Sequence, residues 1–304
     1  MCGIAGILGK PEKTRGTIDK MVDVITHRGP DDRGVLVEKD FAFGMRRLSI
    51  IDLGGGHQPI SNEDDTVTVV FNGEIYNHRE LRPELISLGH SFKTDSDTEG
   101  LVHLYEQYGP DMLRKLRGMF GFCIFDKKKN QLFIARDFFG IKPIYYRVES
   151  VVEKSKGSTN AKITQKIVSF GSEIKSLLED KKYKPTVNDN AVYNYLAFQY
   201  NPLEETMFTD IYRLMPGHYM IVNLEDNSFK IEPYWHYHFN DRNVWPTTEV
   251  DSKNIVIKQT TKEKGAVQGE DQNNSQDAAQ NTDTIYYQSE NEINLAKEVR
   301  KLGN

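Results

Sequence analysis

The sequence predicts a mixed α/β layered domain over residues 2–240, followed by a polar tail over 241–304. Three observations carry this prediction. Apolar, β-branched segments of strand length recur along the first 240 residues, and segments with helical spacing lie between them. The sequence also shows no internal repeat. Strand-rich segments that are interrupted by helices are typical of a layered domain and not of a regular βαβ repeat.

The clearest strands lie in the first half of the chain. TVTVVF (66–71) is β-branched and predicts a strand. FGFCIF (120–125) and QLFIARD (131–137) are two further apolar runs, and the charged segment DKKKN separates them. This arrangement predicts a β-hairpin with a charged turn.

Two segments have helical spacing. NHRELRPELISLG (77–89) predicts a helix that ends in glycine, and Asn77 and Glu80 are spaced like a capping box. Pro83 lacks an N–H, so we expect an irregular first turn in this helix. TEGLVHLYEQYG (98–109) places its apolar residues on one face and again ends in glycine.

The tail differs in composition from the rest of the chain. QTTKEKGAVQGEDQNNSQDAAQNTDT (259–284) has almost no apolar side chain to bury, so it predicts disorder. In the last residues, INLAKEVRKLG (293–303), the apolar side chains are spaced for a short helix.

The composition excludes several classes of protein. Hydrophobic residues make up 38% of the chain and charged residues 27%, as in a soluble globular protein, and the net charge of −5 gives no reason to expect nucleic acid. No apolar run reaches the roughly 20 residues that span a membrane, and the N-terminal apolar stretch lacks the basic region of a signal peptide. Two cysteines do not make a disulfide framework, so we expect a cytoplasmic protein without membrane contact.

A cysteine at position 2 is the first candidate for chemistry. If Met1 is removed, the Cys2 thiol shares a carbon atom with a free α-amino group. That amine has a pKa of roughly 7.7–8.0, so a useful fraction is neutral and can accept the thiol proton. This is the arrangement of an N-terminal nucleophile, although a cysteine after methionine can also be incidental.

Acyl transfer also needs hydrogen-bond donors for a developing oxyanion. FNGEIYN (71–77) offers the side-chain amide of Asn72 and the backbone N–H of Gly73. The same Asn-Gly pair between apolar runs is a strong hairpin signal, so a plain β-turn stays open as the alternative.

A substrate with an amino-acid head needs a cation for its carboxylate and an anion for its ammonium group. MRRLSII (45–51) supplies arginine, and TDSDTE (94–99) supplies acids at the start of a predicted helix. A surface charge pair and helix N-caps are the structural alternatives. HYH (236–238) has two histidines but no carboxylate or cysteine near it in the sequence, so we predict no metal site.

Together the motifs resemble, in order, those of the class II glutamine amidotransferases: CGIAGI at the N-terminus, HRGPDDRG (27–34), RRLSIID (46–52), FNGEIYN (71–77) and SDTE (96–99). Three further segments narrow the resemblance to the asparagine synthetase B type: RGMFGF (117–122), ARDFFGIKPIYY (135–146) and FGSEIKSLL (170–178). The related glucosamine-phosphate synthases and phosphoribosyl-pyrophosphate amidotransferases carry a different arginine motif. The resemblance continues to YWHYHF (234–239).

The resemblance implies an α+β fold, the four-layer αββα sandwich of the N-terminal-nucleophile hydrolases. It also implies an enzyme, in which Cys2 attacks the side-chain amide of L-glutamine. Ammonia leaves, and water hydrolyses the resulting glutamyl thioester. No cofactor is implied for this chain.

The resemblance also implies a role for each matching residue. Asn72 and Gly73 form the oxyanion hole, and Arg47 holds the α-carboxylate of glutamine. Asp97 and Glu74 hold the α-ammonium group.

Three further segments have an expected role or place. The backbone of Ile50 and Ile51 lines the pocket, and residues 28–31 shape its floor. Cys123 is expected to be a small core residue.

Two features depart from the family. Residues 148–169 are longer than the expected hairpin link, and their polar middle predicts an extended surface loop near 150–168. The family's ATP-pyrophosphatase domain, with its Ser-Gly-Gly-x-Asp-Ser phosphate loop, has no counterpart in these 304 residues. We therefore expect ATP and Mg²⁺ only on a separate synthetase polypeptide, which would amidate aspartate or another carboxylate with the ammonia.

Three interpretations of the chain stay open. It is a glutaminase half that supplies ammonia to a partner, a non-catalytic glutamine-binding or regulatory module that retains Met1, or a truncated or split asparagine synthetase product. The first is favoured because the residues of the motif set are all intact. The ammonia acceptor and the formation of a homo-oligomer also stay open.

Overall fold

The computed structural model describes residues 2–49, 56–154 and 161–236. Within them the chain forms two six-stranded antiparallel sheets with helices packed on their outer faces. The chain divides after Asn240. The predicted tail and its terminal helix lie outside the described residues and stay predictions.

The first sheet surrounds the N-terminal strand. In spatial order its strands are β10 (Ile211–Arg213), β8 (Tyr145–Lys154), β9 (Ala161–Gly171), β1 (Gly3–Leu8), β3 (Phe41–Arg47) and β2 (Asp32–Val37). β1 pairs on both sides, and in its register with β3 Gly3 faces Arg46. The first residues of the chain therefore lie beside the end of β3.

The second sheet contains the predicted hairpin. In spatial order its strands are β12 (Phe229–Pro233), β11 (His218–Asn223), β7 (Gln131–Arg136), β6 (Gly118–Asp126), β5 (Val67–Ile75) and β4 (Ile60–Ser61). β6 and β7 form the hairpin that the sequence predicts. β5 extends four residues beyond the predicted strand and carries the Asn-Gly pair inside it.

Five α-helices lie in the described residues: α1 (Pro11–Asp23), α2 (His78–Ser87), α3 (Glu99–Tyr108), α4 (Ile174–Leu177) and α5 (Asp189–Phe198). The helices predicted after residues 77 and 98 are confirmed, and each is followed by a glycine with positive φ, +100° at Gly89 and +56° at Gly109. α2 continues through Pro83. No helix in the described part of the chain is long and apolar enough to cross a membrane.

The capping box predicted for α2 is wrong. The Asn77 side chain makes no cap hydrogen bond. Its amide instead donates to the carbonyl of Lys115 and accepts from the N–H of Arg117, both at 2.9 Å. The Glu80 carboxylate pairs with the Arg117 guanidinium. Both side chains therefore tie α2 to the segment before β6, because these tertiary partners compete with the local cap.

Three buried clusters define four layers. Alternate side chains of β1 point to opposite faces, so Ile4 packs between the two sheets whereas Ala5 packs under α1. The cluster between the sheets also contains Val70 and Ile134, and α2 and α3 cover the outer face of the second sheet through side chains such as Leu85 and Leu101. The order helix, sheet, sheet, helix confirms the αββα sandwich.

Most of residues 150–168 is strand and not the extended loop that we expected. β8 and β9 pair from Tyr145 opposite Gly171 to Lys154 opposite Ala161. The β-branched residues on both arms favour strand pairing, and this preference outweighs the polar composition. Residues 155–160, at the tip, lie outside the described part.

Candidate active site

One cleft, with a volume of about 130 Å³, brings together six of the eight predicted site residues: Cys2, Arg47, Asn72, Gly73, Glu74 and Asp97. They come from the start of β1, the end of β3, the end of β5 and the segment before α3. The other two, Ile50 and Ile51, lie outside the described residues.

Cys2 is half-buried, and a backbone group and a side chain hold it on two sides. The N–H of Leu48 donates to the Cys2 Sγ at 3.4 Å, and the Arg28 Nε donates to the Cys2 carbonyl at 2.9 Å. A Cβ on Gly3 would lie 2.8 Å from the Arg28 side chain, so glycine allows the close approach of Arg28 to the first peptide. The thiol consequently has a fixed position at the edge of the cleft.

Glu173 supports Arg28 from behind. Burial by itself raises the pKa of Glu173, but hydrogen bonds from Arg28, His27 and Lys175 outweigh burial and lower the pKa to about 2. The Arg28 Nη1 and the Glu173 Oε1 are 2.9 Å apart. The carboxylate is therefore ionised at neutral pH and orients the guanidinium that holds the Cys2 carbonyl.

The Asn72 side chain is buried and lines the cleft, yet neither its Nδ2 nor its Oδ1 has a hydrogen-bond partner among the residues that the structure describes. Leaving a buried donor or acceptor unpaired costs about 1–3 kcal/mol. The Asn72 amide is thus available to form a hydrogen bond with a ligand that enters the cleft. Asn72 lies in continuous strand opposite Gly121, so the alternative interpretation of Asn72-Gly73 as a β-turn is wrong.

Gly73 is the position where no side chain fits. A Cβ at this position would lie 2.2 Å from the Met119 carbonyl oxygen, because β5 and β6 pair closely here. Met119 also lines the cleft. Glycine therefore lets β5 carry the Asn72 amide close to β6 without distorting either strand.

Two carboxylates, Glu74 and Asp97, lie on one wall. The Asp97 Oδ2 accepts the N–H of Ile75 at 2.9 Å, but burial outweighs this hydrogen bond and raises the pKa of Asp97. Burial, and then the charge of Asp97, raise the pKa of Glu74. Thr98, and not Asp97, is the N-cap residue of α3, so the N-cap alternative does not account for Asp97. Paired acids of this kind favour a bound cation.

Arg47 ends β3 and is buried in the cleft wall, which contradicts the alternative of a surface charge pair. Its carbonyl accepts the N–H of Asp31 at 3.1 Å, and the Asp31 Oδ2 accepts the N–H of Ser49 at 2.8 Å. Residues 28–31 thus contact both Cys2 and the Arg47 segment. Arg47 thus comes from the first sheet, whereas Glu74 comes from the second sheet and Asp97 from the segment before α3.

Lys142 and Gln58 are two polar residues of the cleft to which the sequence had suggested no role. Lys142 is buried there, and burial followed by the charge of Arg28 lowers its pKa, against the opposing influence of Cys2. Its segment, ARDFFGIKPIYY, was part of the resemblance but carried no assigned role. The lone lysine in an apolar run was the available signal.

Gln58 is the other. Its Oε1 accepts the N–H of Phe71 at 2.7 Å, and its Nε2 donates to the Thr98 Oγ1 at 3.3 Å. The side chain therefore joins β5 to the segment that carries Asp97. No local pattern in the sequence marks such a bridging residue.

Two solved structures share this fold, each covering 78% of this chain and 50% of its own length at 19% sequence identity. One is described as the allosteric regulatory enzyme of purine biosynthesis, with a TM-score of 0.54. The other is the glutamine phosphoribosylpyrophosphate amidotransferase of B. subtilis in complex with ADP and GMP, with a TM-score of 0.52. The chain therefore shares its αββα fold with these two proteins.

The family model described as a glutamine amidotransferase domain matches residues 1–235. The chain belongs to this family. Two relatives from Bacillus subtilis (strain 168) are asparagine synthetase [glutamine-hydrolyzing] 2, 37% identical over 246 residues, and asparagine synthetase [glutamine-hydrolyzing] 1, 40% identical over 222 residues. The matches cover 77% and 71% of this chain but only 30% and 33% of the relatives. The chain thus spans about a third of the length of these relatives.

The Arg28–Glu173 pair predicts a dependence of stability on pH. The folded pKa of about 2 lies below the ordinary value of 4.5, so the ionised carboxylate contributes its full stabilisation above pH 4.5 and loses it as pH falls toward 2. We expect Glu173→Gln to lower the urea midpoint at about pH 6 and the difference from the parent to shrink steadily between about pH 5 and pH 3. Glu12→Gln, at an exposed site on α1, is the control. A difference that stays constant down to about pH 3 would contradict the assignment.

Proposed function

We propose that this chain is a glutaminase in which Cys2, exposed as the N-terminal residue, releases ammonia from L-glutamine. The observation that carries the proposal is the Asn72 amide, which is buried, has no hydrogen-bond partner in the described part of the chain and lines the same cleft as the Cys2 thiol. A donor without a partner, fixed near a nucleophile, suits an oxyanion that exists only during the reaction.

The reaction begins when the free α-amino group of Cys2 accepts the thiol proton. The thiolate attacks the side-chain carbonyl carbon of glutamine, and the Asn72 Nδ2 and the Gly73 N–H donate to the oxyanion. The C–N bond then breaks, the ammonium group of Cys2 returns the proton to the leaving nitrogen, and ammonia departs. Water, deprotonated by the same amine, hydrolyses the thioester to glutamate.

The walls of the cleft provide the recognition. The Arg47 guanidinium suits the α-carboxylate, because its planar donors match two carboxylate oxygens. Asp97 and Glu74, which line the same cleft, suit the α-ammonium group. The backbone of Ile50 and Ile51 completes the pocket in this proposal. Glutamine would thereby place its side-chain amide between Cys2 and Asn72.

The ammonia would pass to an ATP-dependent synthetase polypeptide. Two observations support such a partner. The relatives are about three times as long as the matched region. In addition, α5 and the residues on either side of it expose apolar side chains, which we call the apolar patch. The patch consists of Val187, Tyr193, Tyr195, Leu196, Phe198, Tyr200, Leu203 and Met207, each at least 40% exposed. Many exposed apolar side chains in one segment of a chain are typical of a protein interface. ATP and Mg²⁺ would bind to that partner, and the acceptor would be aspartate or another carboxylate.

The direct test of the proposed function is glutamate release from glutamine by the purified chain and by Cys2→Ala. We expect turnover by the parent and its loss in Cys2→Ala with an unchanged melting temperature, because the alanine removes the nucleophile and little packing. Cys123→Ala is the matched control: burial raises the pKa of that thiol well above its usual range, so it takes no part. Turnover by Cys2→Ala near the parental rate would refute the proposal.

Asn72→Ala tests the oxyanion donor. The interaction forms only in the transition state, so kcat should fall by about 10²–10³ while KM changes little. Asn223→Ala, at an asparagine outside the cleft, should leave kcat unchanged. Steady-state glutaminase kinetics would measure both. A rise in KM with constant kcat would assign Asn72 to substrate binding instead.

Arg47→Lys tests the carboxylate clamp while keeping the charge. Loss of the planar fork should raise KM for glutamine about tenfold or more with kcat changed only a few-fold, because the contact is the same in ground and transition states. An amide substrate without the α-carboxylate should be turned over equally by both proteins. Arg117→Lys, at an exposed arginine, is the control. A loss confined to kcat would contradict the clamp.

Leu196→Glu tests the apolar patch. Its side chain is 70% exposed, so the substitution should leave glutaminase activity intact and abolish co-elution with the co-expressed synthetase polypeptide in size-exclusion chromatography. Ile86→Glu, at a 52% exposed isoleucine on α2, should have no effect on co-elution. Loss of self-association instead would assign the patch to a second copy of the chain and contradict the proposed partner.

A further inference from the structure

A cluster of two histidines and two glutamates lies outside the cleft. One ligand atom from each of Glu63, His90, His103 and Glu106 lies within 4.8 Å of all the others. Glu63 belongs to the turn between β4 and β5, and His90 follows α2. His103 and Glu106 are three residues apart on α3 and so share one face of the helix. Three separate segments therefore meet at these side chains.

His103 is the centre of the cluster. Its side chain is fully buried, and within residues 2–49, 56–154 and 161–236 neither ring nitrogen has a hydrogen-bond partner. Its Nδ1 lies 3.5 Å from the Glu63 Oε2, and its Nε2 lies 3.8 Å from the Glu99 Oε1. A buried imidazole with two carboxylates just beyond hydrogen-bond distance lacks a partner that all three could share.

Both imidazoles direct the same nitrogen, Nδ1, toward a glutamate of the cluster. The His90 Nδ1 lies 3.7 Å from the Glu106 Oε2, and the His90 Nε2 lies 3.3 Å from the Gln107 Oε1. His103 likewise turns its Nδ1 toward Glu63 within the cluster and its Nε2 toward Glu99 outside it. An oxygen behind the second ring nitrogen is the usual support of a metal-binding histidine.

Both cluster carboxylates are fixed by neighbours. The Glu63 Oε1 accepts the N–H of Ser91 at 2.6 Å, and the other carboxylate oxygen, Oε2, faces His103. The Glu106 Oε2 accepts the Asn62 Nδ2 at 3.3 Å. The ligand atoms thus keep their directions without a bound ion.

We propose that Glu63, His90, His103 and Glu106 form a structural Zn²⁺ site. Two imidazole nitrogens and two carboxylate oxygens are a donor set that zinc accepts, and four protein ligands close its tetrahedral shell. Ligands at about 2.0–2.1 Å from zinc are about 3.3 Å apart, so the cluster contracts by roughly 1 Å on binding. The HYH motif considered in the sequence is described only as far as His236, which is not in this cluster.

The site has a consequence for the cleft. α3 begins at Glu99, two residues after Asp97. The cluster includes His103 and Glu106, which lie one to two turns further along the same helix. Zinc would therefore anchor the helix whose N-terminal segment presents Asp97 to the cleft. The ion itself has no open coordination position, so its role is to hold three segments together.

The test is zinc binding by the full chain with Cys2→Ser, which removes the half-buried thiol of the cleft as a competing ligand. After treatment with a chelator and desalting, the protein is titrated with ZnCl₂, and metal content and melting temperature are measured. We expect one zinc per chain and a higher melting temperature. His90→Asn and Glu106→Gln should each weaken zinc binding more than about tenfold. Glu12→Gln on α1 should bind zinc like the parent.

Circular dichroism of the metal-free variants shows whether they fold, and the exposed Glu63→Gln provides a further variant in which packing changes little. Zinc affinity that is equal in the parent and in His90→Asn, Glu106→Gln and Glu63→Gln would overturn the proposal. It would place the ion elsewhere, for instance at the histidines of 236–238. A folded parent that binds no zinc would overturn it as well.

Discussion

The position of β1 in the middle of the first sheet is the constraint on which the rest of the structure depends. Chain termini usually fray, yet here the second residue lies at the start of a strand that pairs on both sides. Ile4 exchanges hydrogen bonds with Ser172, beyond β9, at 2.9 and 3.0 Å, and Arg28 holds the Cys2 carbonyl. A nucleophile at the end of a chain can be placed accurately only if the end itself is built into the sheet.

The second sheet supplies what the first one lacks. β5 packs against β1 and β3. Its end carries the Asn72 amide, which has no hydrogen-bond partner among the described residues, beside a glycine at which a Cβ would clash with β6. Arg47 comes from the first sheet, Glu74 comes from the second, and Asp97 comes from the segment before α3. The cleft therefore exists only when both sheets are packed, which couples the proposed chemistry to the core between them.

Much of this arrangement was predictable from the sequence, and the failures have physical causes. The hairpin of β6 and β7 and the glycine-terminated helices depend on local patterns, so they were predicted well. The cap at Asn77 and the loop near 150–168 were wrong, because tertiary contacts and long-range pairing overrode local composition. Motif order located the cleft, whereas Gln58 and the cluster around His103 arise from segments far apart in the chain, which no local pattern connects.

The central claim is that Cys2 is the N-terminal residue and the nucleophile for glutamine. The most direct measurement is the intact mass of the purified chain before and after incubation with a glutamine analogue that carries an electrophilic carbon in place of the amide. The account predicts a mass without Met1 and a single adduct, which peptide mapping locates on Cys2. Retention of Met1, or an intact chain that acquires no adduct on Cys2, would contradict it.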